Sequence, residues 1–164
     1  MKASVAERRD PGRVNINVES RIVQPPSLTS LVYVSSAVHS LTLAEIDHLL
    51  MRARARNVEQ GVTGVLLYNS GNFMQYLEGP STGIDTVYTH IVRDPLHSGI
   101  IEIIREPITT REFGEWSMAF RSNHLVGVSE PYERDAALLQ RIVDAASGGS
   151  PARALLRGFW LRSR

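Results

Sequence analysis

The sequence predicts an α+β fold with the ferredoxin-like order β-α-β-β-α-β and an extra fifth strand. Three observations support this prediction: a capping box opens the first helical stretch, a strong turn signal joins two apolar strands, and an Asp-Pro pair closes a second helical stretch. The chain has 164 residues, which suffices for one domain with a short extension.

The first strand and the first helix are predicted from the start of the apolar sequence. Residues 31–34 are apolar and β-branched, which is typical of a strand. Thr42 and Glu45 have the spacing of a capping box, so we expect a helix to begin there. This helix places apolar side chains on one face and is expected to end near Gly61; they are Ile46, Leu49, Leu50 and Ala53.

The next elements are a hairpin and a second helix. The turn sequence 69–72 separates strands predicted at 62–68 and 73–78. Gly79-Pro80-Ser81 opens a helix, and Asp94-Pro95 ends it, because proline disfavours helix in the residue before it. Residues 100–104 are predicted as a fourth strand, and 116–120 as a short fifth.

The chain is expected to have three parts. Residues 1–27 are rich in charge, Asn, Pro and Ser and are predicted to form a flexible leader. Residues 28–121 form the predicted domain, and residues 122–164 a helical extension with two segments. The first segment carries Leu138, Leu139, Ile142 and Val143, and the second begins at Ser150-Pro151.

The composition excludes several classes of function. Without cysteine the chain has no disulfide, thiolate metal site or cysteine nucleophile. The formal charge of +1 gives no strong field toward nucleic acid or a membrane. Residues 1–26 hold no apolar run typical of a signal peptide, and no stretch approaches the ~20 apolar residues of a membrane span. We therefore expect a cytoplasmic protein without membrane contact.

Two polar side chains fall where the pattern requires apolar ones. Asn57 lies on the buried stripe of the first helix, although a side chain that caps the helix end would also occupy this position. Gln75 alternates with Phe73 and Leu77 on the third strand, where a structural hydrogen bond to the backbone is the alternative role.

Tyr33 is predicted to lie beside Gln75, because the first and third strands are neighbours in this topology. Its phenol can then donate to the amide oxygen, although any buried tyrosine needs some partner. Trp116 and Met118 alternate on the predicted fifth strand and are expected to close the same space, or to be ordinary core residues. The residues alone predict a polar spot between sheet and helices and do not identify a ligand.

Five ordered blocks give the chain a family resemblance. They are 31–35, Asn57 with 61–68, 71–79, 93–97 and 113–118. In this order and spacing, over about residues 29–121, they resemble the BLUF family of blue-light receptors.

The resemblance implies a non-covalent flavin, FAD or alternatively FMN, between the two helices and the sheet. Tyr33 falls on the family's electron-donating tyrosine and Gln75 on its switching glutamine. Asn57 matches the residue that hydrogen-bonds the ring carbonyl region, and Trp116 and Met118 match the pair that relays the signal.

Further positions are implied to contact the cofactor. Asp94 and His97 fall where the family contacts the ribityl and phosphate portion. His90 falls at a contact that varies in the family. Arg56 replaces a common Asn or His, so it is expected to reach a phosphate or solvent instead.

The resemblance also implies how the chain signals. The roughly 40 residues after 121 are too few for an enzymatic or DNA-binding output domain. By resemblance to short members of the family, the chain is expected not to be an enzyme. Its C-terminal helices are expected to pack on the sheet face opposite the first two helices. It is expected to signal to a separate protein or within a homo-oligomer. The arginines around Phe159 and Trp160 form either a partner-binding patch or the solvated face of a capping helix.

Two other classes of function stay open at this point. The strand order also occurs in RNA-recognition modules, but their basic-glycine-aromatic signature is absent and the net charge is near zero. A flavin-dependent enzyme would need an acid–base pair, a nicotinamide fingerprint or a metal cluster, and the sequence shows none.

Overall fold

The chain forms a five-stranded sheet with α-helices on both of its faces. The computed structural model describes residues 27–122 and 150–162. The elements are β1 (Leu28–Ala37), α1 (Leu43–Glu59), β2 (Thr63–Asn69), β3 (Asn72–Pro80), α2 (Ser81–Val92), β4 (His97–Ile108), β5 (Ala119–Ser122) and α3 (Pro151–Leu161). The strand order is β4-β1-β3-β2-β5, in which β2 and β5 are parallel and the other neighbours antiparallel. The predicted α+β, ferredoxin-like fold with a fifth strand is confirmed.

The capping box sets the start of α1. The Thr42 side chain accepts from the Glu45 N–H at 3.3 Å, and the Glu45 carboxylate accepts from the Thr42 N–H at 2.8 Å. Hydrogen bonds from Thr42, chiefly the one from its backbone N–H, lower the pKa of Glu45 to about 2. The helix ends at Gln60, and Gly61 follows with a φ of 61°, a conformation that favours glycine.

The β2–β3 hairpin has a two-residue turn. Ser70 and Gly71 both have positive φ, 48° and 78°, between the paired residues Asn69 and Asn72. Two positive φ values in succession are characteristic of a type I′ turn, whose twist matches that of the strands. The hairpin is therefore confirmed, and it fixes which side chains of β3 face α1 and α2.

Alternate residues of the sheet pack into two separate cores. On the inner face, Leu31, Tyr33 and Leu77 pack with side chains of α1 and α2. On the outer face, Val32 and Tyr76 pack with α3, which contributes Ala152, Leu156 and Trp160. The predicted placement of the helices on opposite faces holds for α1, α2 and α3. The segment around Leu138 to Val143 lies outside the described residues.

Two strand boundaries differ from the prediction. β4 extends to His97–Ile108 because it pairs with β1 along almost its whole length, beyond its short apolar centre. β5 begins only at Ala119, so the prediction of a strand from Trp116 is wrong. The Trp116 N–H donates to Phe113 O at 3.1 Å, which closes a turn where the strand was expected.

Candidate functional site

A cleft lies between α1, α2 and the inner face of the sheet. Apolar side chains from both helices and from β2 form its walls: Leu49, Ala53, Leu66, Val87 and Ile91. Its polar lining consists of Arg52, Arg56, Asn57, Gln75, Asp94 and His97.

Gln75 lines this cleft, and Tyr33, which is not one of the lining residues, is paired with it across β1 and β3. Tyr33 has no exposed surface and Gln75 is 4% exposed. The Tyr33 phenol donates to Gln75 Oε1, and Gln75 Nε2 donates to the sulfur of Met118 at 3.2 Å. Burial raises the pKa of Tyr33, so the phenol is protonated at neutral pH and available as a donor. The structure thus joins these three side chains in one hydrogen-bonded chain.

Asn57 lies on the buried face of α1, with 1% of its surface exposed. Its side-chain Nδ2 donates to Ser117 O at 2.6 Å, while its backbone carbonyl accepts from the Val62 N–H at 2.8 Å. The backbone group therefore takes part in ending the helix, while the side chain lines the cleft and holds Ser117. One turn earlier on α1, Arg54 Nε donates to Met118 O at 3.0 Å. Two side chains of α1 hold the segment that precedes β5.

Further charged and polar side chains line the cleft away from Gln75. Arg52 Nη2 lies 3.7 Å from Asp94 Oδ2, and Asp94 Oδ1 accepts from the Leu96 N–H at 3.0 Å. His97 Nδ1 is 2.8 Å from Ser35 Oγ. Burial lowers the pKa of His97, an effect that Asp94 partly opposes, so the imidazole is neutral at pH 7.

Not every predicted site residue reaches this cleft. His90 is exposed on α2 and does not line it. Trp116 packs with the outer core, where its ring centroid is 6.3 Å from that of Phe113, whereas Met118 belongs to the inner core. The prediction that Trp116 and Met118 close the same space is wrong, because the segment before β5 is a turn without strand alternation.

Two arginines at the site, Arg52 and Arg54, were not predicted from the sequence. Arg52 lines the cleft and lies four residues before Arg56, so the helical period alone places both on one face. Arg54 carried no such signal, because its partner is a backbone carbonyl of a loop.

The lining residues fit a flavin. Apolar walls suit a planar ring, and the buried amides of Asn57 and Gln75 line the cleft and could serve as hydrogen-bond partners for ring carbonyls and nitrogens. Arg52 and Arg56 suit a phosphorylated chain, because guanidinium groups bind phosphate well.

Comparison with known proteins identifies the family. Residues 28–119 match the model of the BLUF family, described as sensors of blue-light using FAD. The chain belongs to the BLUF family. It is 33% identical over 117 residues to the blue light- and temperature-regulated antirepressor BluF of Escherichia coli, which covers 71% of this chain and 27% of the relative.

Other BLUF proteins give the same result. The photoactivated adenylate cyclase subunit beta of Euglena longa is 30% identical over 108 residues, covering 65% of this chain. The dark-state structure of BlrB, a BLUF protein, superimposes with a TM-score of 0.60 at 36% identity, covering 73% of this chain and 97% of BlrB. The chain spans only 13% of the length of the Euglena longa subunit.

Membership of the BLUF family makes this chain a blue-light sensor that binds flavin. The predictions of family, fold and sensory function are confirmed, and the family match displaces the RNA-binding alternative. Within the part of the chain that the structure describes, no helix is both long and apolar enough to span a membrane.

Proposed function

We propose that light acts on this protein by rearranging the hydrogen bonds of Gln75, with Tyr33 as the electron and proton donor and Met118 as the first residue to respond. The hydrogen-bonded chain from the Tyr33 phenol through Gln75 to the Met118 sulfur carries this proposal. An amide offers both a donor and an acceptor, so it is suited to exchange partners within a closed site.

A flavin bound in the cleft would, when excited, supply a strong one-electron oxidant, and it would return the electron to Tyr33 when the charge pair recombines. A phenol that loses an electron becomes a strong acid, and the Tyr33 proton then has Gln75 Oε1 as its acceptor. Rotation of the amide places Nε2 toward Tyr33 and Oε1 toward Met118. A thioether sulfur cannot donate, so rotation removes the 3.2 Å contact and releases Met118. Formation of the imidic tautomer would likewise change what the amide nitrogen can donate.

The remaining site residues are proposed to hold the cofactor. Asn57 orients the ring, while Asp94, His97 and Arg56 contact the ribityl and phosphate portion. FAD is the proposed cofactor because the family description names it and because Arg52 and Arg56 together suit more than one phosphate. Chromatography of the flavin released from purified protein tests this, and FMN alone would contradict it.

The output is proposed to be a change of contacts with a separate signalling protein or within a homo-oligomer. Residues 28–121 would form the light-sensing unit and residues 122–164 the extension that transmits the change. The packing of α3 on the outer face supports this division, because α3 contacts the opposite side of β2 and β3 from the cleft. In this proposal the chain senses light and does not itself catalyse a reaction.

Absorption spectra of two variants test the switch. Tyr33→Phe and Gln75→Leu should retain flavin but lose the lasting red shift after illumination. Tyr68→Phe is the matched control, because the hydroxyl of this buried tyrosine of the inner core accepts from the Leu41 N–H at 3.2 Å and is not bonded to Gln75. A stable red shift in Tyr33→Phe, or a normal photocycle in Gln75→Leu, would contradict the proposal.

A further inference from the structure

Glu78 is a fully buried carboxylate on the outer face of β3, three residues after Gln75. It accepts four hydrogen bonds. Two come from side chains, Thr63 Oγ1 at 3.1 Å and the Tyr76 hydroxyl at 3.0 Å. The other two come from the backbone N–H groups of Glu112 at 2.7 Å and Phe113 at 2.6 Å. The carboxylate thus binds the loop between β4 and β5 to the strand that carries Gln75.

Arg111 reinforces this attachment. Its Nη1 donates to the Glu78 carbonyl at 2.9 Å and to Thr63 Oγ1 at 2.8 Å, and its Nη2 donates to Gly61 O at 2.5 Å. Because Thr63 Oγ1 accepts from Arg111, its own proton is available for the Glu78 carboxylate. We call these contacts of Glu78 and Arg111 the loop clamp.

A short series of contacts leads from the loop clamp to the cleft. Phe113 is buried and packs on Tyr76 with ring centroids 5.0 Å apart, and its carbonyl accepts from the Trp116 N–H at 3.1 Å. The carbonyl of Trp116 accepts from the Gly64 N–H at 3.0 Å. Two residues later Met118 meets Gln75. These contacts connect residues 111–113 of the clamp with Met118, whose backbone carbonyl also accepts from Arg54 of α1.

The chemistry of the clamp requires a carboxylate. Each oxygen of Glu78 accepts two hydrogen bonds, and only a group with two acceptor oxygens can do this. An amide in its place would direct its NH₂ group at one backbone N–H and one side-chain donor, either those of Phe113 and Thr63 or those of Glu112 and Tyr76. Charge-assisted bonds to an ionised acceptor are also roughly twice as strong as neutral ones.

We propose that Glu78 is a positioning residue of the photoswitch, which holds the loop so that Met118 can contact Gln75. This inference rests on the proposed function above. When the clamp is loosened, the sulfur is within reach of Gln75 Nε2 for a smaller fraction of the time. The dark hydrogen-bond arrangement then forms again more slowly, because the rate scales with the competent fraction.

The rate of dark recovery after a light pulse tests this role in purified, flavin-loaded protein. We expect Glu78→Gln to recover about fivefold more slowly than the unmodified protein, for a competent fraction reduced to about one fifth. Glu78→Asp keeps both oxygens and should recover faster than Glu78→Gln. Glu102→Gln, which removes a partly exposed carboxylate paired with Arg105 on β4, should recover at the unmodified rate.

The proposal is supported if Glu78→Gln recovers in the dark more than twofold more slowly than the unmodified protein. A recovery rate within twofold of that of the unmodified protein, or a faster one, overturns it. A purely structural role would lower the melting temperature without this change in rate. If Glu78→Gln does not fold, Arg111→Gln removes the other half of the clamp at a partly exposed residue and is held to the same criterion. Failure of the unmodified protein to show any red shift would instead refute the proposed function.

Discussion

Gly64 on β2 lies unusually close to the backbone of β3. A Cβ atom added at Gly64 would be 2.1 Å from the carbonyl oxygen of Tyr76, whereas real Cβ contacts essentially never fall below 3.0 Å. In Gly64→Ala the two strands would have to separate locally by about 1 Å, against a rigid backbone group with no alternative rotamer. The same residue donates its N–H to Trp116 O, so the displacement would also disturb the loop that precedes β5.

We expect Gly64→Ala to lower the free energy of unfolding by about 3 kcal/mol, the upper part of the range for overpacked cores. For a domain of this size the melting temperature should fall by about 10 °C. Chemical denaturation of the flavin-loaded protein, followed by circular dichroism, measures the change.

Gly158→Ala is the matched control for this substitution. Gly158 lies within α3, and an added Cβ meets nothing within 4 Å. Alanine is the better helix former by about 1 kcal/mol, so this variant should be more stable than the unmodified protein. A loss below about 1 kcal/mol in Gly64→Ala would refute the reasoning from the close approach of the strands.

Three further predictions concern the cleft and the outer face. The folded-state pKa of His97 lies below its usual value, so the contribution of His97 to stability is complete above about pH 6.5 and is lost as the pH falls through the folded-state pKa. His97→Gln should therefore flatten this part of the curve of unfolding free energy against pH. An unchanged curve would contradict this assignment to His97. Asn57→Ala leaves Ser117 O without its donor and should cost about 1–3 kcal/mol in denaturant unfolding, while a neutral effect would show that water replaces the amide. Trp160→Ala should cost about 3–5 kcal/mol, because the side chain is 3% exposed in the outer core; a much smaller loss would mean that α3 is not docked there in solution.

Local signals explain what the sequence predicted well. Thr42 and Glu45 specify the start of α1 by themselves, and the turn at Ser70 and Gly71 specifies the hairpin. Once the element order is known, topology places β1 beside β3, which is why Tyr33 and Gln75 were expected to meet.

Non-local contacts explain what the sequence could not predict. The length of β4 follows from its pairing with β1, and the side of the sheet on which Trp116 packs follows from a turn closed by Phe113 O. Glu78 gave no signal of burial, because its four donors come from β2, from β3 and from the loop between β4 and β5. Such partners become visible only in the folded chain.

A light-minus-dark absorption spectrum of the purified protein tests the central claim most directly. The hydrogen-bonded chain from Tyr33 through Gln75 to Met118 predicts that a bound flavin shifts slightly to the red in blue light and returns in the dark, without net reduction. A flavin-loaded protein whose spectrum is unchanged by light, or that accumulates reduced flavin with no red-shifted state, would contradict the account.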